Sequence, residues 1–215
     1  NDGSSETRLA AIIFSHGVGS KAEDYSGYCR EIASFGYLVF APDCIDGSSC
    51  YTELADGTVM EFDTSAGVPL GSDIDFRAQQ LGKRDLHTRQ LIDELVNDPV
   101  FLQEKLGFSP RVKIDASKII LSGHSFGGVT AILSTMNDKR VRACLVSDPW
   151  FQPLLEHWQK TLAVNKPIQV QTCYNYFKAC GNFAKLGGVP DFNGAPFCSA
   201  FTKESMKLSK VVEHI

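Results

Sequence analysis

Ser125 stands in Gly123-His124-Ser125-Phe126-Gly127, a G-x-S-x-G pattern placed where the apolar run KIILS gives way to the helix-forming run FGGVTAILSTM. Glycines suit both flanks of a serine when a strand must turn sharply into a helix, because a Cβ there would strike the neighbouring backbone. Such a turn lifts the hydroxyl clear of the sheet, and the helix N-terminus behind it offers backbone N–H groups and the positive end of a dipole. The chemistry this suits is nucleophilic attack on a carbonyl carbon. The pattern of five is weak alone, and its setting between a strand and a helix is the stronger sign.

Two further elements fit that chemistry. Ser15-His16-Gly17-Val18-Gly19 follows the apolar run LAAIIF. A His-Gly loop in that place commonly supplies one backbone donor to an oxyanion, here Val18, and the residue after the nucleophile, Phe126, supplies the second. The Gly-Ser-Lys ending of GVGSK does not complete a phosphate-binding loop, since G-x-x-x-x-G-K-[ST] spacing is missing. Asp148, in LVSDPWF, lies 23 residues past Ser125 at the expected tip of the next strand, where an acid could hold an imidazole in place.

A serine–histidine–aspartate site needs that imidazole to take the serine proton and return it to the leaving alcohol. Of the five histidines, His16 and His124 belong to the motifs above, and His87 precedes the nucleophile on a helix. His157 falls within the helical run LLEHWQKTL, where a core-edge or surface place suits it better. His214 follows the acid in the right order but inside the run KVVEHI, so the expectation is split between His214 and a histidine past Ile215. The matching expectation at the other end is a missing antiparallel hairpin before Leu9. Residues 1–215 are thus read as one α/β domain trimmed at both ends.

The elements that must position these residues alternate along the chain. Strands are expected at Leu9–Phe14, Tyr37–Ala41, Lys118–Ser122, Ala143–Ser147, Ile168–Thr172 and in KVVEHI, each apolar on consecutive positions as in a sheet covered on both faces. Helices are expected at Tyr25–Phe35, about Asp75–Val96, after Ser125, and at Leu154–Leu162. Residues 42–72 and 179–200 read as long surface loops. Strands alternating with helices predict a mostly parallel sheet with helices on both faces, the α/β-hydrolase fold once the serine turn is included.

Composition bounds the rest. The 215 residues carry a formal charge of −4, which provides no basic field for nucleic acid. No dinucleotide fingerprint or metal-ligand cluster occurs, and the proposed chemistry needs no cofactor or metal. The seven cysteines are odd in number. Cys144 and Cys173 read as small buried hydrophobes, while Cys44 and Cys50 bracket a loop and could pair in an oxidising compartment.

SHGVGS, the segment after YLVFAPD, GHSFGG and SDPWF, in this order, resemble the plasma and intracellular type II platelet-activating factor acetylhydrolases. The resemblance implies calcium-independent hydrolysis of short or oxidised sn-2 acyl chains of phospholipids, with Ser125 as nucleophile, Asp148 as acid, and Val18 and Phe126 as oxyanion donors. Pro149 departs from the Asp-Ala-Trp of the family, and the acidic loop 42–72 carries no family signature, which leaves the acyl preference open. A phospholipid or another small ester is the expected partner, with lipid-surface contact conceivable at Leu154, Leu155, Trp158 and Leu162, although core packing suits that stripe better. Other readings are a dienelactone-hydrolase-like or polyester-cleaving esterase, and a non-catalytic binding protein that kept the fold.

Overall fold

The computed structural model describes residues 6–65, 73–98, 100–157, 164–172 and 209–213. His214, Trp158, Leu162, Cys173 and the expected loop 179–200 lie outside the described residues, as does the side chain of His157.

Eight strands are described: β1 (Thr7–Ser15), β2 (Leu38–Phe40), β3 (Tyr51–Glu53), β4 (Val59–Glu61), β5 (Val112–His124), β6 (Val141–Ser147), β7 (Ile168–Thr172) and β8 (Ser209–Glu213). Four α-helices run between them: α1 (Ser26–Ser34), α2 (Ile74–Asn97), α3 (Phe126–Asn137) and α4 (Gln152–His157). Six strands form one sheet in the order β2-β1-β5-β6-β7-β8, every neighbouring pair parallel. The strand order therefore reverses between β1 and β5, and ligands of open parallel sheets bind at the carboxyl ends of the strands at such a point.

The sheet is built from the sequence's most continuous apolar runs. Ala11, Ile12, Ile13 and Phe14 are all at most 4% exposed on successive positions of β1. Both faces of the sheet are covered there, as a parallel strand requires. α3 packs on β1, β5 and β6, and α2 packs on α3 and α4. Phe126, Val129, Ile132 and Leu133 of α3 join Leu81, Ile92 and Leu95 of α2 and Leu154 of α4 in one apolar core. Leu154 is fully buried, so that side chain belongs to the core and not to a lipid-facing surface.

Registers align the strand ends. Ser15 pairs with Gly123 and His124 with Ser147, so the carboxyl ends of β1, β5 and β6 form one rim. Between Leu9 and Ala11 the β1–β5 register shifts, because β5 makes an excursion between Ile114 and Ile119 before resuming.

Three expectations are corrected. The stretch 42–72 is not loop throughout, since β3 and β4 pair as a short antiparallel hairpin. The expected helix Tyr25–Phe35 buries none of its residues completely, and Phe35, which helical spacing puts near the same face as Tyr25, Tyr28 and Ile32, is 74% exposed. That helix lies against β2, the edge strand of the described sheet, where less apolar surface waits to be covered. In α2, Leu86, one of the leucines that recur at helical spacing in the expected run Asp75–Val96, is 46% exposed while Arg77 and Arg84 are buried. The reason is a polar cluster: Arg84 meets Asp46 at 3.3 Å and Ser48 Oγ, and Gln80 donates to the Asp46 carbonyl.

Candidate active site

Ser125 links β5 to α3 with φ 55° and ψ −116°. A non-glycine residue with positive φ is strained by roughly 1–3 kcal/mol and persists only where its surroundings hold it. The glycines around it make the turn possible. A Cβ on Gly123 would lie 2.3 Å from the Gly127 carbonyl oxygen, and a Cβ on Gly127 would lie 1.9 Å from that of Ser15. The β1 loop thus rests directly on the start of α3. Ser125 occupies the N-cap position yet makes no side-chain capping bond. Serine at a helix start ordinarily spends its hydroxyl on capping, and this one does not.

The loop after β1 is held on several sides. The Gly17 N–H donates to Tyr25 Oη at 3.2 Å, the Gly19 N–H to the Ser48 carbonyl at 2.8 Å, and the Ser20 N–H to the Gly17 carbonyl. The Val18 N–H makes no hydrogen bond among the described residues. Phe126 opens α3, so its N–H has no carbonyl one turn back within that helix. His16 is buried and structural: its Nε2 accepts from the Cys44 N–H at 3.1 Å. Burial, helped by the charge of Arg84, drops its pKa to about 4, so the ring is neutral at pH 7. Arg84 donates to the His16 carbonyl at 2.6 Å and to Ser15 Oγ, with its guanidinium 4.8 Å from the centre of the Phe126 ring.

Asp148 follows the last residue of β6 and also has positive φ, 44°. It is joined to the serine turn through backbone: the Ser125 N–H donates to the Ser147 carbonyl, and the Trp150 N–H donates to the Ser125 carbonyl, both at 2.9 Å. The Asp148 N–H donates to the Gln171 carbonyl on β7 at 2.8 Å. Asp148 also acts on His124 through its charge. Burial lowers the pKa of that histidine and the Asp148 carboxylate pulls the other way.

The rim therefore brings together Val18, Ser125, Phe126 and Asp148, four of the five residues singled out by sequence. His214, the fifth, lies outside the described residues. Two residues were missed. Tyr25 opens the expected helix Tyr25–Phe35, and nothing in the sequence marks its hydroxyl. Arg84 carried a signal: a charged residue three positions after Leu81 on an apolar stripe. A cavity of about 240 Å³ lies between the segment Pro42–Ile45 and α2, and its lining includes Phe14, His87 and Leu91 but neither Ser125 nor Asp148. Cys44 and Cys50 are both free thiols, so the conjectured pairing is not formed. Cys144 is buried in β6, as expected. Among the described residues no group of His, Cys, Asp and Glu is arranged to hold a metal ion, and no helix is long and apolar enough to cross a membrane.

A parallel sheet whose strand order reverses at β1, with a strained strand–serine–helix turn on its carboxyl rim, defines the α/β-hydrolase fold. Ferulic acid esterase from Streptomyces cinnamoneus shares that fold with a TM-score of 0.59 at 18% identity, over 83% of this chain and 48% of the esterase. The family described as platelet-activating factor acetylhydrolase, isoform II, matches residues 4–189, and the chain belongs to that family. The platelet-activating factor acetylhydrolase of Cavia porcellus is 32% identical over an alignment of 156 residues, with 67% of this chain and 36% of that protein covered. That of Bos taurus is 31% identical over an alignment of 157 residues, with 66% of this chain and 35% of the bovine protein covered. The chain thus spans about a third of the length of these curated relatives.

Proposed function

We propose that the protein is a serine-dependent carboxylic ester hydrolase that removes short or oxidised sn-2 acyl chains from phospholipids. Ser125 Oγ attacks the ester carbonyl while a histidine later in the chain than Asp148, for which His214 is this sequence's candidate, takes its proton. The carbonyl oxygen becomes an oxyanion and accepts the N–H groups of Val18 and Phe126, each worth about 3 kcal/mol of barrier. Collapse breaks the ester bond, the imidazolium protonates the departing lysophospholipid oxygen, and an acyl group remains on Ser125. Water, deprotonated by the same imidazole, then releases the carboxylate. Asp148 holds the imidazole in the productive tautomer throughout. No metal or cofactor enters these steps.

The observation that supports this reading best is the pairing of a strained, uncapped Ser125 with a neighbouring loop whose Val18 N–H has no partner among the described residues while those of Gly17, Gly19 and Ser20 are used. The substrate class rests on the family, whose relatives bear the name platelet-activating factor acetylhydrolase. The test is labelling by a fluorophosphonate and hydrolysis of sn-2 acetyl, sn-2 long-chain and p-nitrophenyl esters by the full-length protein and its Ser125→Ala variant. Labelling and acetyl-phospholipid hydrolysis that vanish in the variant are expected. Activity confined to soluble esters would point to a different esterase, and absence of Ser125-dependent labelling to a binding protein.

A further inference from the structure

Three groups converge on Gly17, the residue just before the unspent Val18 N–H. A Cβ built there would lie 3.1 Å from Tyr25 Oη, 3.4 Å from His124 Nδ1 and 3.5 Å from Ser125 Cβ. Tyr25 reaches this point from the single 3-10 turn Ala22–Tyr25 that precedes α1. Its ring is fixed by Phe14 of β1, with centroids 4.8 Å apart, and by the ring of His124 at 5.7 Å. Its hydroxyl touches both halves of the site at once: the Gly17 N–H at 3.2 Å and His124 Nδ1 at 2.8 Å.

We propose that Tyr25 is a positioning residue for the oxyanion loop, its hydroxyl clamping the Gly17 peptide to His124 on the serine turn so that Val18 presents the loop's remaining N–H. This rests on the esterase reading given above. Valence fixes the direction of the Gly17 bond, and in the proposed clamp the second bond runs from the phenol to His124 Nδ1, which requires the Nε2–H tautomer. A phenol oxygen has one proton to give. Gly17 N–H can only donate, so the phenol accepts there and its own proton is left for His124 Nδ1. Nδ1 can accept only in the neutral ring, the form that the burial of His124 favours. The proton of that ring then sits on Nε2. Each end of the clamp thereby fixes the other. Without the phenol, the Gly17 N–H loses its partner, the peptide is free to rotate, and the Val18 N–H that follows moves with it.

The clamp should matter more for the tetrahedral state than for the bound ester, because only the former needs the Val18 N–H held in place. The test is Tyr25→Phe in the full-length protein, which keeps the ring against Phe14 and removes only the hydroxyl. The expected result is a drop of about tenfold in kcat, the scale of one lost hydrogen bond and a slightly misplaced donor, with KM nearly unchanged. Affinity for a trifluoromethyl ketone, which forms a tetrahedral adduct on the serine, should fall by the same factor. A purely structural tyrosine would instead lower the thermal midpoint and leave the adduct affinity of the folded fraction intact.

His124→Leu removes the other end. Its effect should overlap with that of Tyr25→Phe, so that the double variant loses little more than either single one. If Tyr25→Phe does not fold, the adduct affinity of His124→Leu decides alone: a fall supports the clamp, and wild-type affinity overturns it. Wild-type protein that a fluorophosphonate does not label at Ser125 overturns the esterase reading and the proposal with it. Normal labelling of wild type together with unchanged kcat and adduct affinity in Tyr25→Phe overturns the proposal alone.

Discussion

Replacing Gly127 by alanine tests the geometry on which the site depends. In an exposed helix interior this change ordinarily stabilises by about 1 kcal/mol. Here the new Cβ would sit 1.9 Å from the Ser15 carbonyl oxygen, 2.4 Å from its carbon and 2.6 Å from the His16 carbonyl oxygen. All three are backbone atoms, so no side chain can swing aside. Opening the tightest contact to an allowed 3.0 Å requires about 1.1 Å of separation between the start of α3 and the loop after β1. Overpacking of this kind costs roughly 1–3 kcal/mol. A misplacement of about 1 Å between reacting groups can cost on the order of a hundredfold in rate. Urea unfolding and the rate of fluorophosphonate labelling at Ser125 measure the two effects. Gly27→Ala in α1 is the control, since nothing lies within 4 Å of its new Cβ. The expected outcome is a lower urea midpoint and about hundredfold slower labelling for Gly127→Ala, with Gly27→Ala equal to wild type or more stable. Labelling of Gly127→Ala within twofold of wild type, at unchanged stability, would refute the account of how loop and helix meet.

Arg84→Met should destabilise the fold by about 3–5 kcal/mol, because it leaves the buried Asp46 carboxylate without its cation. A loss under about 1 kcal/mol in urea melts would contradict that. Asp148→Asn is expected to leave the fold intact and to lower kcat by about 10⁴-fold, read with an acetyl ester. A change smaller than tenfold would remove Asp148 from the mechanism. His16 sets a pH dependence of stability. Its pKa falls from 6.5 in the unfolded chain to about 4 in the fold, chiefly through burial. The unfolded chain therefore takes up a proton first as pH drops. Stability present above pH 6.5 is lost progressively between 6.5 and 4, by about 3 kcal/mol, and the loss stays in place below that. His16→Gln should flatten this stretch of the stability–pH curve, and an unaltered slope would show that other groups govern it.

The parallel sheet was legible because its strands are short runs of consecutive apolar residues. IQVQT maps onto β7 without a shift, and KIILS lies within the longer β5. The serine turn was legible because steric crowding restricts it to glycine at fixed offsets. Val18 is expected from a His-Gly pair after a strand, Phe126 from its place next to the serine and Asp148 from the tip of the following strand, all readings of chain order that place these residues on the rim. What could not be read depends on tertiary contact. Tyr25 reaches His124 from 99 residues away, and nothing local distinguishes its hydroxyl from that of Tyr28. Arg84 and Asp46 are 38 residues apart, and each looks like a surface charge until the other is placed beside it. Leu86 and Phe35 fail in the opposite sense. Periodicity names the apolar side of a helix, but only the neighbouring elements decide how much of that side is covered.

The positive φ angles of Ser125 and Asp148 lie at the ends of two adjacent strands, and the backbone bonds between these turns let each strained link lean on the other like stones at the crown of an arch. A third strand carries part of the thrust, since Asp148 is pinned to Gln171 on β7. Substitutions along β7 that shift its register should therefore be felt at the serine, although they touch nothing near it. The same cross-bracing means that the proposed nucleophile keeps its place only while three strands hold together, so labelling at Ser125 and sheet integrity should disappear as one event on unfolding.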